Sequence, residues 1–479
     1  MKRIKIKKSM MIPIVFLFLV GVFFTWKYVF LPSSHERETS SKSRPNIVLI
    51  IVDALRADKL GVYGFPGDIS PEIDAMAREG ILFENVISQS SWTRPSIGSL
   101  LTSLYPRSIG IYKEKYDILH DKYLTLAEIL KAGGYRTFGI TANPNINKVF
   151  NFHQGFDDYR DSAVIWKWMK NEPGKRKPDE DTHLRRSKDI FDTTLEKIKS
   201  YGTEPFYIQI NIMEAHSPYL IRDEYKGVFK DYPVKKVNYN YPEEKLARII
   251  RWTLGAVKQV SYDIGEFVKK IQAIPGMENT LFVITSDHGQ GLNDHPDVDS
   301  SHTHGNLLYE SNLRVPLIFY HPGKIVKPHR VKNRVRLLDL MPTILDYVGI
   351  SYPESLEIHG KSLINLIENK GEAPQLPDYF IAETHWRKVN KIAVYTAEWK
   401  YFENKDHWKG VNARELQPAG IRENGTQTDK IQEEMGIGKE MKKALYLWEK
   451  RFKPVKRTFP RDSLTREEIR QLKSLGYLN

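Results

Sequence analysis

The 479-residue chain contains no cysteine. That absence excludes a disulfide framework, a thiolate-built zinc or iron–sulfur site and a cysteine nucleophile. Acidic residues are missing from the first 27 positions, and internal repeats are missing throughout. What is present is a globular composition, 41% apolar and 27% charged, long enough for one large domain or two to three smaller ones. Lys and Arg number 72 against 59 Asp and Glu, a formal charge of +13. That excess raises the question of nucleic acid, which its distribution answers. Residues 1–27 carry +6 and residues 439–479 carry +7, which leaves the middle of the chain neutral. A nucleic-acid channel needs a basic stripe on the folded domain, so no nucleic-acid partner is expected.

Met10 to Trp26 is apolar apart from Thr25, and Tyr28-Val29-Phe30-Leu31 extends the run. Residues 10–31 are long enough to cross a bilayer, where about 17–25 residues are required. The basic cluster Lys2 to Lys8 predicts a cytoplasmic tail over 1–9 and a cell-membrane protein with its bulk outside the cytoplasm. A cleaved signal peptide is the competing reading, although no A-x-A site follows. The Ser-rich, charged segment 32–45 reads as a tether. The basic C-terminal stretch is expected to face anionic lipid or surface polymer.

Strand-like apolar runs alternate with helical spacing, the pattern of an α/β sheet flanked by helices. Strands are expected at Asn46–Val52, Phe206–Met213, Leu281–Ser286 and Val315–Tyr320, and helices at Leu124–Gly133 and Leu337–Val348. A catalytic domain over 46–377 is followed, over 378–479, by short strands and a helical stretch read as a smaller α+β subdomain. Three strands end at residues suited to chemistry: Asp53, then Glu214 with His216, then Asp287-His288. In open α/β sheets the ligand crevice lies beyond the carboxyl ends of the strands. Two Asp and one His suit Mn²⁺, Zn²⁺, Mg²⁺ or Ca²⁺. Each alone is equally a turn residue. Thr93 precedes Pro95, which suits the first turn of a helix through about Leu104. Thr93 is therefore either a helix cap or a hydroxyl nucleophile activated by a metal at a helix N-terminus.

Taken together, these segments resemble the sulfatase branch of the alkaline phosphatase superfamily. The resemblance rests on RPNIVLIIVDALRADKLGVYG (44–64), WTRPSIGSLLTSLYP (92–106), TSDHGQGLNDH (285–295), HGNLLYESNLRVPLI (304–318), LLDLMPTILDYVGI (337–350) and LKSLGYLN (472–479). It implies an alkaline-phosphatase-like, mostly parallel sheet and one divalent metal held by Asp53, Asp287 and His288. Thr93 is implied as nucleophile, also contacting the metal, with His216 and His304 as catalytic histidines. Asn143, His295 and His302 are implied on the substrate side, where the last two read equally as polar loop residues. The departures are Thr93 at the position the family modifies, Ile97 for the motif's Arg and Ala54 for a second Asp. GITANPNINK (139–148) also replaces a Gly-Lys-Trp-His segment. No formylglycine is expected from a threonine. The implied activity is hydrolysis of sulfate or phosphate esters, on lipid or glycan. A phosphoethanolamine- or glycerol-phosphate-transferase-like activity and a non-catalytic metal-stabilised binding protein are the alternatives.

Overall fold

A computed structural model describes residues 44–455 apart from 113–116, 162–185, 218, 238–239, 297, 299–301, 371–378, 387–388, 406–411 and 420–428. The expected anchor over 10–31, the tail 1–9, most of the tether and the 472–479 motif lie outside the described residues, as does the expected boundary near 377. Among the described residues, no helix is long and apolar enough to cross a membrane.

The first sheet has eight strands in the order β4-β3-β5-β1-β6-β7-β2-β8. These are β1 (Asn46–Val52), β2 (Ile81–Ile87), β3 (Arg136–Thr141), β4 (Asp158–Asp161), β5 (Phe206–Ile212), β6 (Thr280–Thr285), β7 (Arg314–Tyr320) and β8 (His329–Arg336). Pairing is parallel from β4 through β6; β7 is antiparallel to both β6 and β2, and β2 and β8 are again parallel. The continuous apolar run of β1 follows from its central place. Ile47, Leu49 and Ile51 enter one core, while Val48, Ile50 and Val52 enter the other.

Helices cover both faces. α1 (Pro71–Glu79), α4 (Ser187–Tyr201) and α5 (Glu243–Gln272) pack on one side; α2 (Thr93–Thr102), α3 (Leu126–Ala132) and α6 (Leu340–Tyr347) pack on the other. α3 begins with a capping box between Thr125 and Glu128. The predicted helix over 337–348 opens with a 3₁₀ turn, Leu337–Asp339, before α6.

A second sheet is antiparallel, in the order β12-β11-β10-β9: β9 (Phe380–Thr384), β10 (Lys391–Tyr395), β11 (Trp399–Asn404) and β12 (Arg414–Pro418). Ile381, Ile392, Val394, Tyr401 and Leu416 pack against Met441, Leu445 and Trp448 of α7 (Met435–Arg451). Phe380, Ala382, Ala393 and Tyr395 on the other face pack against Leu307, Leu308, Tyr309 and Leu313. The second sheet is thereby fixed beside the loop that follows β6.

Candidate active site

β1 and β6 are adjacent and parallel, so their carboxyl ends deliver Asp53 and Asp287-His288 to one place. All three side chains are fully buried. Their ligand atoms lie within 4.8 Å of one another, with His288 Nε2 3.6 Å from Asp53 Oδ1 and 3.4 Å from Asp287 Oδ2. Ala54, directly after Asp53, adopts a left-handed φ of 60°. This conformation costs a non-glycine residue roughly 1–2 kcal/mol, and it turns the Ala54 N–H to Asp287 Oδ1 at 3.2 Å. His288 N–H donates to the same oxygen at 2.9 Å. With its Nδ1 donating to the Gly289 carbonyl at 2.8 Å, the His288 ring presents a bare Nε2 to the cluster.

Asp53 Oδ1 and Asp287 Oδ2 are buried with no hydrogen-bond partner. Burial first, and then the neighbouring Asp287, hold the Asp53 carboxyl well above the ordinary range. Two buried carboxylates with open oxygens and one imidazole nitrogen fit a divalent cation, which would supply the missing positive charge.

Thr93 sits at the first position of α2, and its side chain does not cap the helix; Trp92 is the N-cap residue and makes no side-chain cap. Pro95 falls in the first turn, where its missing N–H leaves no intrahelical bond unmade. Ser96, one residue further, donates to the Asp287 carbonyl at 2.5 Å and pins the helix start to the cluster. Thr93 Oγ1 lies 3.4 Å from His288 Nε2 and accepts from Asn143 Nδ2 at 3.1 Å. The same amide donates to Asp53. Asn143 is itself fixed, since its Oδ1 accepts from Asn145 N–H at 2.7 Å.

His216 and His304 form the next layer. His304 stacks on His288 with ring centroids 4.6 Å apart, and its Nε2 is 3.4 Å from His216 Nε2. His216 Nδ1 is 2.5 Å from the Ser217 carbonyl. Burial, and then the nearby His288, bring the His216 imidazole down to about 4. A neutral ring that donates from Nδ1 accepts at Nε2, so the hydrogen between the two rings belongs to His304. Glu214 goes elsewhere: its carboxylate accepts from Ser187 N–H at the start of α4. His295 stacks on Tyr309, and His302 lies tilted against Tyr241, with centroids 3.9 and 4.1 Å apart.

Two groups that carried no expectation complete the arrangement. Trp386, in the loop after β9, packs 5.0 Å from Trp92 and 6.2 Å from His304. Arg56, buried, donates to the carbonyls of Gln290 and Gly291 at 2.9 and 3.0 Å and pairs with Asp58 and Asp294. It thus ties the loop after Asp53 to the loop after His288. Arg56 lies within a quoted motif; Trp386 lies in none.

A buried Asp-Asp-His cluster that could hold a metal, beside a hydroxyl at a helix N-terminus on this sheet order, is the arrangement of an alkaline-phosphatase-like ester hydrolase. The chain belongs to the sulfatase family, the sulfuric ester hydrolases: the profile described as Sulfatase matches residues 45–350. The one described as N-sulphoglucosamine sulphohydrolase, C-terminal, matches 302–446. An arylsulfatase of Clostridium perfringens is 25% identical over 424 residues, covering 75% of this chain and 85% of that protein. The structure of BT4656 in complex with its substrate D-glucosamine-2-N,6-O-disulfate superimposes with a TM-score of 0.70 at 18% identity, over 86% of this chain and 98% of that one. The phosphonate monoester hydrolase of Agrobacterium radiobacter does so with 0.69 at 18%, over 85% and 96%.

Proposed function

We propose that the chain is a metal-dependent hydrolase of sulfate esters, or phosphate esters, that uses the unmodified Thr93 hydroxyl as nucleophile. One observation carries this reading: Thr93 Oγ1 is held by Asn143 at 3.1 Å and lies 3.4 Å from the bare His288 Nε2. Asp53, Asp287 and His288 would hold the cation (Mn, Zn, Mg or Ca), which when bound lowers the hydroxyl pKa and draws charge from the non-bridging ester oxygens.

Asn143 orients Thr93 Oγ1 by donating to it, and the N-terminus of α2 favours an anionic group in front of that oxygen. The Thr93 hydroxyl proton leaves to solvent as Oγ1 forms a bond to sulfur or phosphorus, and the bond from that atom to the leaving oxygen breaks. His304, oriented by its Nε2–H hydrogen bond to His216, redirects that proton to the leaving oxygen and regains one from solvent. Water then cleaves the Thr93 ester, restoring the hydroxyl and releasing the inorganic anion. His295, stacked on Tyr309, and His302, tilted against Tyr241, are given no proton-transfer step in this scheme and stay on its substrate side. Membrane attachment through residues 10–31 belongs to the same proposal. The substrate is a sulfated glycan by analogy with the glucosamine disulfate bound by BT4656.

A second reading, transfer to an acceptor hydroxyl of surface lipid or glycan, is favoured by the unmodified Thr93 beside the neutral Asn143. The test is intact-mass analysis of the protein after exposure to an aryl sulfate, an aryl phosphate and a phosphodiester, with bound metal measured alongside. A sulfate or phosphate adduct on Thr93 supports hydrolysis, and a phosphoalcohol adduct transferred to an added alcohol supports the second reading. Thr93→Ala should lose turnover and keep its metal. Near wild-type turnover in that variant would sink the nucleophile assignment.

A further inference from the structure

The described residues expose six large apolar side chains, and three of them, Met435, Tyr446 and Leu447, are on α7 at 57–58% exposure. At 100° per residue Tyr446 and Leu447 fall on the helix face turned away from Gly438, Met441, Leu445 and Trp448, the side chains that α7 buries, with Met435 at the edge of that face. Lys439, Lys443 and Lys450 fall on that same outward face and are exposed. Lys450 Nζ lies 5.3 Å over the Tyr446 ring. The nearby carboxylates are engaged to the side: Glu440 accepts from Tyr379 at 3.0 Å, and Glu449 pairs with Lys405. Among the described residues, α7 therefore presents apolar tips set among lysines that form no ion pair, with its own core face already packed.

We infer that this outward face of α7 docks on a bilayer surface rich in anionic lipid. Three features select that partner. Lysines alone would suit any polyanion, but a polysaccharide offers no apolar phase for Met435, Tyr446 and Leu447, whereas the interface of a bilayer does. Lysine stems can lie along that interface with the ammonium groups at the headgroups. The N-terminal apolar run 10–31, joined to β1 by a short segment, would on the proposed membrane attachment hold the domain beside a bilayer, making docking of α7 close to an intramolecular event. This surface is separate from the Thr93 site; the inference rests on the proposed membrane attachment, not on the nucleophile or the metal.

The test uses the absence of cysteine. A single Leu447→Cys substitution in the full chain takes one environment-sensitive fluorophore; Tyr262→Cys on α5, also exposed, is the control. Both are reconstituted in vesicles of phosphatidylcholine alone or with one-third phosphatidylglycerol, each containing nitroxide-labelled lipid. Quenching at position 447, absent at 262, should appear in the anionic vesicles and fade in neutral vesicles or in 0.5 M salt. Neutralising Lys439, Lys443 and Lys450 to Gln should lower the docked-to-free ratio by on the order of a hundredfold, at about fivefold for each basic residue near the surface. Three results would overturn the inference: no quenching at 447, equal quenching at 447 and 262, or a label already buried in detergent. The last would mean that a chain segment or a second copy covers the face. Preference for a soluble sulfated polysaccharide over anionic vesicles would overturn it too.

Discussion

The side-chain amide of Asn143 donates to both Thr93 Oγ1, at 3.1 Å, and Asp53, so one neutral group links the hydroxyl to the Asp53, Asp287 and His288 triad. This residue stands where the family resemblance implies a cationic segment. Asn143→Ala should lower kcat by about 10², the scale for removal of one donor aimed at a reacting oxygen. KM should change less than kcat. Steady-state kinetics of the two proteins on one substrate checks this, and a change confined to KM would contradict it.

Arg56 clasps the two loops that carry the triad. Arg56→Met leaves Asp294, itself 20% exposed, without its buried partner, which should cost about 1–3 kcal/mol. Because the carbonyls of Gln290 and Gly291 also lose their donor, divalent-cation affinity should fall as well. Urea unfolding reads the first effect and titration calorimetry with Mn²⁺ the second. Arg56→Lys should recover part of both.

Gly305 has φ +84°, and a Cβ there would meet Trp386 Cγ at 2.8 Å. Gly305→Ala should therefore lower the melting temperature and displace His304, reducing kcat/KM. Adding Trp386→Ala should restore melting temperature more than activity, since it removes the clash but also a wall of the site.

Burial lifts the Glu214 carboxyl to about 7 in the folded protein, against an ordinary value of 4.5. The folded state thus binds the proton more tightly than the unfolded state does. Its contribution to stability is complete below about pH 4.5 and is lost as pH rises through about 7. By pH 8 the loss approaches about 3 kcal/mol. Glu214→Gln should flatten that part of the curve, so its stability advantage over the natural protein should grow between pH 5 and 8. A constant difference across that range would contradict the assignment.

The triad was legible because a strand buried on both faces is a continuous apolar run, and the polar residue that ends it marks the crevice. NIVLIIV before Asp53 and LFVITS before Asp287 show this directly. β8, HRVKNRVR, hides at the sheet edge because only part of it is buried. Glu214 ended a strand as Asp53 did, yet backbone direction after β5 takes it to α4. Period and composition do not encode that turn. Trp386 was illegible for another reason: it reaches the site through the packing of β9 and β10 on Leu307–Tyr309, a contact between distant segments.

The order of synthesis gives the sheet topology a further consequence. β1 lies between β5 and β6, and Ala54 is separated from Asp287 by 233 positions. A growing chain that has emitted Asp53 cannot complete the Asp53, Asp287 and His288 cluster until nearly half of its length has followed and β6 has docked. Any ion that the cluster takes up would therefore come from whichever compartment hosts the completed fold. If the chain is threaded across a membrane before folding, as the proposal has it, that compartment would be the far side, and the external ion supply would set which metal the site takes.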